Sequence, residues 1–258
     1  MNKSIPKVIH LSWIDKRILF TSDNPLALNG VAQMKRINPN WVIQISDDCD
    51  VNDYIQSCIS NDDWLLLKDR HIVEKVDLWR LLKIFHEGGV YCDIDRYCNI
   101  PFDSFIDENT RCVLPTHYAV DCSQDIMIAS KGSPIHKLAL ELNLSRRRDG
   151  CDDVLTLGPV TYFHAITQII LGKQKSRFLP ADQFLEFINL IHNKEGYKVF
   201  YERPVEDKTK HTTIIYKSQK EFPFLEGNKK SREDFYAESE VRHWTTADNV
   251  FGEKKFGI

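Results

Sequence analysis

The sequence predicts an α/β protein with a central sheet. Short apolar strands alternate along the chain with segments in which apolar residues recur at helical spacing. The clearest helical pattern, at residues 69–86, stops at the glycines Gly88 and Gly89, and a short strand follows them. Two acids, Asp93 and Asp95, come directly after that strand. The order of helix, glycines, strand and acids is typical of α/β proteins, whose ligands gather at the carboxyl ends of strands.

The other strands and helices are predicted from the same two patterns, short apolar runs for strands and apolar residues at helical spacing for helices. Predicted strands lie at residues 7–13, 41–46, 90–92, 112–114, 126–129, 197–201 and 212–216. Predicted helices lie at residues 26–37, 51–67, 69–86, 133–144, 160–171 and 181–191. A candidate break in the second helix lies at Asn61 and Asp62, and Pro134 suits the first turn of the fourth helix.

Composition is that of a globular enzyme-sized domain. The chain has 258 residues, of which 42% are hydrophobic, and a net charge of −3. We expect one domain over residues 1–258, with no general attraction to nucleic acid or to an anionic membrane. The sequence shows neither a transmembrane run nor a signal peptide, so we expect a cytoplasmic protein or one that has lost a targeting segment. Its seven cysteines form no Cys-x-x-Cys pair, which favours reduced thiols.

The acids Asp93 and Asp95 are the first candidates for chemistry. Alternation along an extended chain would place both carboxylates on one side, where they repel each other. A divalent cation such as Mg²⁺ or Mn²⁺ removes that repulsion, and it keeps open positions that a nucleotide diphosphate can fill. The pattern therefore predicts a metal-dependent enzyme acting on a phosphorylated substrate. The simpler alternative is a pair of solvated loop carboxylates.

A second pair of charged residues, Asp77 and Arg80, lies on the helix that precedes the acids. Because they are three residues apart, they share a helix face and can pair. One interpretation is a surface ion pair of little energetic value. The other places both residues at the rim of the cleft that holds Asp93 and Asp95.

A short basic cluster lies at residues 145–149. Nothing aromatic is interleaved with its arginines and the chain is acidic overall, so it does not indicate nucleic-acid binding. We expect a solvated helix end or a patch on the acceptor side of a site.

Several stretches, in order, resemble the sugar-transferring region of glycosyltransferase family 32. The same core is similar to the catalytic domain of the large clostridial glucosylating toxins. The resemblance is dense over residues 5–100 and sparse after that. The stretches that carry it are residues 5–13, 38–41 with 47–48, 76–80, 88–95 and 243–244.

The resemblance implies a GT-A fold, a Rossmann-like α/β/α sandwich around a central mixed sheet. It also implies a nucleotide-sugar donor, a divalent metal (Mn²⁺ or Mg²⁺) and retention of anomeric configuration. Residues 1–110 would then form the nucleotide-sugar-binding half. Residues 111–258 would form the acceptor-side half with a C-terminal lid.

By position, the resemblance assigns catalytic roles to four residues. Asp95 would bind the metal directly, and Asp93 would contact the ribose or sugar and reach the metal through water. Asp77 and Arg80 would hold the hydroxyl groups of the sugar.

The resemblance also implies further contacts to the donor. Trp13 would lie against the nucleobase, and His10 from the same opening strand is counted with the donor-binding residues. His243 and Trp244 would close over the diphosphate, with His243 as a further metal ligand.

Gln124 and Asp125 are weaker candidates. They lie in the region where relatives in the family often carry an asparagine, so we assign them to the acceptor side.

The predicted function is transfer of a hexose from a UDP-linked donor to a glycan or other hydroxyl acceptor, for example in surface-polysaccharide synthesis. One alternative is a haloacid-dehalogenase-like phosphotransferase, whose first Asp is a nucleophile; here Tyr97 stands where those proteins usually carry Thr or Val. The other alternative is a non-catalytic protein that binds a sugar or nucleotide.

Overall fold

The computed structural model describes residues 4–17, 25–98, 100–115, 122, 124–175, 179–200, 202–204, 213–215 and 224–226. The helices are α1 (Pro25–Ile37), α2 (Asp48–Cys58), α3 (Asn61–Leu67), α4 (Ile72–His86), α5 (Pro134–Arg148), α6 (Thr161–Leu171) and α7 (Ala181–His192). A 3-10 turn lies at Phe102–Ser104 and a π-helical segment at Thr156–Val160. None of the described helices is long and apolar enough to cross a membrane.

Six strands build the central sheet, in the order β2-β1-β3-β6-β5-β7. The strands of the protein are β1 (Val8–Ser12), β2 (Val42–Ser46), β3 (Gly89–Cys92), β4 (Arg96–Cys98), β5 (Cys112–Pro115), β6 (Ile126–Ala129), β7 (Tyr197–Phe200), β8 (Glu202–Pro204), β9 (Thr213–Ile215) and β10 (Phe224–Glu226).

The central sheet is mixed. β1 pairs in parallel with β2 and β3, and β5 pairs in parallel with β7. β6 runs antiparallel to both of its neighbours, β3 and β5. The carboxyl ends of β1, β2 and β3 therefore meet the amino end of β6 at one edge of the sheet. Ligands of α/β proteins bind at such an edge.

Hydrophobic clusters cover both faces of the sheet. Tyr91 packs in the larger cluster with residues of α2, α4, α5, α6 and α7, whereas Val90 and Cys92 pack in the smaller cluster with residues of α1. This alternation within β3 is the ordinary consequence of the pleat. Six cysteines are free thiols (Cys49, Cys58, Cys92, Cys112, Cys122 and Cys151), and Cys112 and Cys122 are buried in the larger cluster. The predicted α/β/α sandwich around a mixed sheet is confirmed.

Helix α4 carries two of the predicted site residues, Asp77 and Arg80, and both are buried. It ends at His86, and Gly88 and Gly89 follow with φ angles of 74° and 104°, in the left-handed region that favours glycine. A Cβ on Gly88 would lie 2.6 Å from the backbone nitrogen of Lys131, and one on Gly89 would lie 2.5 Å from the carbonyl oxygen of Val8. The glycine pair therefore both ends the helix and lets β3 start in close contact with its neighbours.

The predicted helix at residues 51–67 is two helices. Its break lies just before the expected position, because the Ser60 side chain accepts a hydrogen bond from the backbone of Asp63 and caps α3. Strands β4, β8 and β10 were not predicted. β10 pairs with β4 and lies inside a polar stretch that gives no strand pattern of its own.

The basic cluster is a helix end that is solvated only in part, since Arg148 is exposed and Arg147 is not. Arg147 is buried and forms an ion pair of 3.0 Å with Glu74 on α4, and Arg148 donates two hydrogen bonds of 2.7 Å to Asp63 on α3. Arg146 donates to the carbonyl oxygen of Thr156. These arginines tie α5 to three other elements, a role that depends on contacts remote in sequence.

Candidate active site

The predicted acids lie at the edge where β3 ends and β6 begins. Cys92 is in register with Ile126, and the backbone N–H of Asp93 continues the pairing with a 2.9 Å bond to the carbonyl oxygen of Asp125. The chain then turns, since the N–H of Arg96 donates to the carbonyl oxygen of Asp93 at 3.0 Å. The expectation that Asp93 and Asp95 share one side of an extended strand is therefore wrong. A turn separates the two carboxylates.

Arg80 is the centre of the charged cluster. Its guanidinium forms a buried ion pair with Asp77 and also donates to Asp93 Oδ1 at 3.3 Å. A third bond, of 3.0 Å, goes to the carbonyl oxygen of Gln124. Asp77 and Arg80 are 2% and 6% exposed, so they are not a surface ion pair. They join α4 to the edge of the sheet that carries Asp93.

Tyr91, on β3, also contacts the carboxylate of Asp93. Its hydroxyl donates to Asp93 Oδ1 at 2.5 Å, and the Arg80 guanidinium lies 5.0 Å from the centre of its ring. The ring packs edge-on against Trp79 and is 1% exposed. Tyr91 and Asp93 lie two residues apart along the strand direction, so they share a face. That spacing is a sequence signal which could have identified Tyr91 as a residue of the site.

Burial raises the pKa of two of the carboxyl groups, and like charges add to the shift at Asp93. Burial raises the pKa of Asp77 above its ordinary value, although the charge of Arg80 opposes the shift. Burial also raises the pKa of Asp93, to about 6; Arg80 opposes this shift, while the charges of Asp95 and Asp125 add to it. Several carboxylates thus crowd around Arg80, and an added cation would favour their charged forms.

A divalent cation fits the chemistry of this donor set. Among the described residues, no group of three or more His, Cys, Asp and Glu side chains is arranged to hold an ion. An ion here would take protein ligands from Asp93 and Asp95 and its remaining ligands from substrate and water. Oδ1 of Asp93 already accepts bonds from Tyr91 and Arg80. The role of Asp95 as the direct metal ligand stays a prediction from the sequence.

Three further residues complete the cluster. The guanidinium of Arg96 pairs with the buried carboxylate of Asp125, and no sequence signal identified Arg96. The side chain of Gln124 bonds to Asp77. Gln124 and Asp125, which the sequence assigned to the acceptor side, thus lie against the sugar-binding candidates Asp77 and Asp93.

The remaining predicted donor contacts are spread more widely. Trp13 is half-buried and follows β1 at the same edge of the sheet, where its backbone N–H donates to the carbonyl oxygen of Ser46 at 3.0 Å. His10 is not brought to the cluster: it is 1% exposed, and its Nε2 lies 2.9 Å from the carbonyl oxygen of Gly88, before β3 begins. His243 and Trp244 lie outside the described residues.

Comparison with known proteins relates one part of the chain to a family. Residues 27–112 match the family described as "Glycosyltransferase sugar-binding region containing DXD motif". This region includes Asp77, Arg80, Asp93 and Asp95. This part of the chain is therefore similar to the sugar-binding region of glycosyltransferases. The resemblance to the sugar-transferring region of glycosyltransferase family 32 is confirmed. The assignment of the DXD motif to Asp93 and Asp95 stays a prediction from the sequence.

Two individual proteins are similar to the chain. Inositol phosphoceramide mannosyltransferase 1 of Schizosaccharomyces pombe is 26% identical over 147 residues, which cover 56% of this chain and 44% of that protein. The chain thus spans less than half the length of this curated relative. Among solved structures, the PaToxG glycosyltransferase shares 21% identity and a TM-score of 0.49, covering 66% of this chain and 70% of that chain.

Proposed function

We propose that the protein is a metal-dependent, retaining glycosyltransferase that moves a hexose from a nucleotide sugar to a hydroxyl acceptor. The single observation that carries the proposal is the buried cluster in which Arg80 joins Asp77 to Asp93 beside the DXD turn. The name of the yeast relative, a mannosyltransferase, supports a hexose as the transferred group. We propose a UDP-linked donor and a glycan acceptor, with a role in surface-polysaccharide synthesis.

The charged cluster suits the donor sugar and its diphosphate. Asp77 and Arg80 together present an acceptor and donors for sugar hydroxyl groups. Arg80 also places a fixed positive charge near the carboxylates, where a diphosphate would bind with its metal. A preorganised charge of this kind stabilises a leaving group without reorganisation during the reaction.

Asp95, assisted by Asp93, would hold Mn²⁺ or Mg²⁺. When bound, the ion supplies Lewis-acid stabilisation of the departing diphosphate. The chain's own part is to orient the sugar and to place the negative charge of Asp77 near the anomeric carbon as that carbon becomes cation-like. In a retaining enzyme of this type the leaving phosphate itself can take the proton of the acceptor, so we assign no protein base.

The test is a screen of nucleotide sugars. Purified protein is incubated with UDP- and GDP-linked hexoses, in the presence of Mn²⁺, Mg²⁺ or a chelator, and release of nucleoside diphosphate is measured. We expect hydrolysis or transfer with one hexose donor and a loss of turnover with chelator. Turnover of a phosphate monoester, with no nucleotide sugar used, would instead favour the phosphotransferase. Binding of a nucleotide sugar without turnover, with acceptors present, would favour the binding protein.

The family match favours the glycosyltransferase over the phosphotransferase, because the matched region is described as a sugar-binding region of glycosyltransferases. The nucleotide-sugar screen separates the glycosyltransferase from the plain binding protein. A cytoplasmic location stays a prediction from the sequence. So does the division of the chain into a donor half and an acceptor half with a lid.

A further inference from the structure

The π-helical segment Thr156–Val160 packs directly on the candidate site. Its Gly158 is buried, and a Cβ added there would lie 2.5 Å from Nε2 of Gln124 and closer still to the carboxylate of Asp77. Only the absence of a side chain lets the backbone approach both groups. The segment therefore limits where the Asp77 carboxylate and the Gln124 amide can lie.

Side chains of α5 hold two carbonyl groups of this segment. Nδ2 of Asn143 donates to the carbonyl oxygen of Leu157 at 2.7 Å. Nη1 of Arg146 donates to the carbonyl oxygen of Thr156 at 3.0 Å. π-Helical turns are uncommon and occur often at functional sites. Here the first two residues of the π-helical turn, Thr156 and Leu157, are each held by a hydrogen bond from a side chain of α5.

A series of buried hydrogen bonds connects Asn143 back to helix α4, which carries Asp77. Oδ1 of Asn143 accepts from Nε of Arg147 at 3.0 Å, and Nη1 of Arg147 donates to Oε2 of Glu74 at 3.0 Å. Glu74 lies three residues before Asp77 on α4, and Asp77 lies against Gly158 of the π-helical segment. The contacts therefore run from the segment through α5 and α4 and back to the segment. Asn143, Arg147 and Glu74 are 0%, 7% and 4% exposed. Groups so buried are costly unless satisfied, and a satisfied network favours one geometry.

We propose that Asn143 and Gly158 are positioning residues for the donor sugar. Asn143 holds the π-helical segment, and Gly158 in turn sets the spacing of Asp77 and Gln124 around Arg80. The inference rests on the proposed function, in which Asp77 binds sugar hydroxyl groups. Neither residue needs to touch the donor, because both act through Asp77. Substitutions at Asn143 and Gly158 should therefore affect use of the sugar more than binding of the nucleotide.

The variants Asn143→Asp and Gly158→Ala separate positioning from folding. An aspartate at 143 keeps the acceptor for Arg147 but cannot donate to the carbonyl oxygen of Leu157 when ionised. Arg148→Ala is the matched control for the first variant, because it removes an interhelical contact to Asp63 and leaves the π-helical segment untouched. Gly172→Ala is the control for the second: φ is 71° there, so a side chain is strained, and no atom lies within 4 Å.

For Asn143→Asp and Gly158→Ala we expect kcat/KM for the nucleotide sugar to fall about tenfold or more, since small misplacements of binding groups cost this much. Affinity for the nucleoside diphosphate with Mn²⁺ should stay within about twofold of the parent value. The two controls should keep both quantities, even where they lower the melting temperature. Parental kcat/KM in both test variants, or a loss that follows the melting temperature in all four proteins, would overturn the proposal.

Hydrogen exchange without any ligand tests the same inference independently of turnover. Asn143→Asp should speed exchange of the amides at residues 156–161 and in the turn of α4 that carries Asp77, whereas Arg148→Ala should not. Equal exchange in the two variants would overturn the positioning role. If the parent protein uses no nucleotide sugar at all, the proposed function fails, and the exchange result still decides whether Asn143 holds the segment.

Discussion

Arg80 donates to Asp93 across 3.3 Å and so connects helix α4 to the turn that follows β3. Arg80 also forms the buried pair with Asp77, so the sugar-binding candidate and the DXD motif share one guanidinium. Because residues that share a buried partner are energetically coupled, substitutions at Asp77 and Asp93 should not be additive.

Asp95→Ala should abolish transfer. Removing the direct metal ligand removes several kcal/mol of leaving-group stabilisation, so we expect a loss of at least about a thousandfold in kcat. Metal-dependent binding of nucleotide should fall with it. Asp93→Asn should reduce nucleotide affinity less while still lowering the rate strongly. Steady-state kinetics and calorimetry measure both, with Asp152→Ala, an exposed acid, as the control. Parental turnover of the Asp95 variant in chelator would contradict the assignment.

Asp77→Asn should impair use of the sugar and spare binding of UDP. The charged acceptor for sugar hydroxyl groups is lost, which is worth about 1.5–3 kcal/mol, so kcat/KM should fall about 10- to 100-fold. Calorimetry with UDP and with the UDP-sugar separates the two effects. Equal losses for both ligands would mean that Asp77 is structural or binds the nucleotide.

Tyr91→Phe should slow the reaction while it leaves the core intact. The phenyl ring keeps the packing on Trp79 and the face toward Arg80, but Asp93 loses one hydrogen bond. The loss of about 1–2 kcal/mol predicts a decrease in kcat of roughly tenfold, with a small change in melting temperature. Tyr162→Phe, a buried tyrosine outside the cluster, is the control. An unchanged kcat would show that the hydroxyl of Tyr91 does not position Asp93.

Arg148→Ala should destabilise the protein in a pH-dependent way. The hydrogen bonds from Arg148 hold the pKa of Asp63 below its ordinary value, against the opposing effect of burial. A lowered pKa in the folded state contributes stability that is present above the unfolded value, about 4, and is lost as the pH falls through the folded value.

The free energy of unfolding of Arg148→Ala should therefore lie below that of the parent at neutral pH, and the difference should shrink below about pH 4. Denaturant titrations at several pH values measure it. The exposed Lys137, which pairs with Glu141 at 3.8 Å, provides a control variant with little expected effect. A difference that stays constant with pH would contradict the role of Asp63.

The segment at residues 242–249 should gain protection from hydrogen exchange when metal and nucleotide bind. This prediction comes from the sequence, since these residues lie outside the described part of the chain. The imidazole of His243 and the indole of Trp244 can donate to phosphate oxygens and would close the site against water. Hydrogen exchange of this segment with and without UDP and Mn²⁺ measures the effect. Unchanged protection would exclude the lid, and full transfer by a protein truncated after Val241 would exclude any role in catalysis.

Local patterns in the sequence determined the elements that build the site. Three features depend on residues within a few positions of one another: helix α4 before the glycines, strand β3, and the position of Asp93 and Asp95. Helical spacing, the left-handed preference of Gly88 and strand propensity act over that range. For this reason α4, β3 and the position of Asp93 and Asp95 directly after β3 could be predicted from the sequence.

Only the tertiary structure decided how these elements meet. The bond from Arg80 to the carbonyl oxygen of Gln124 spans 44 residues of sequence, and the pair of Arg147 with Glu74 spans 73. Whether Asp77 and Arg80 lay on the surface or in a cleft depended on the packing of β6 and the π-helical segment against α4. Burial and long-range hydrogen bonding set these relationships, and neither leaves a periodic signal in the chain.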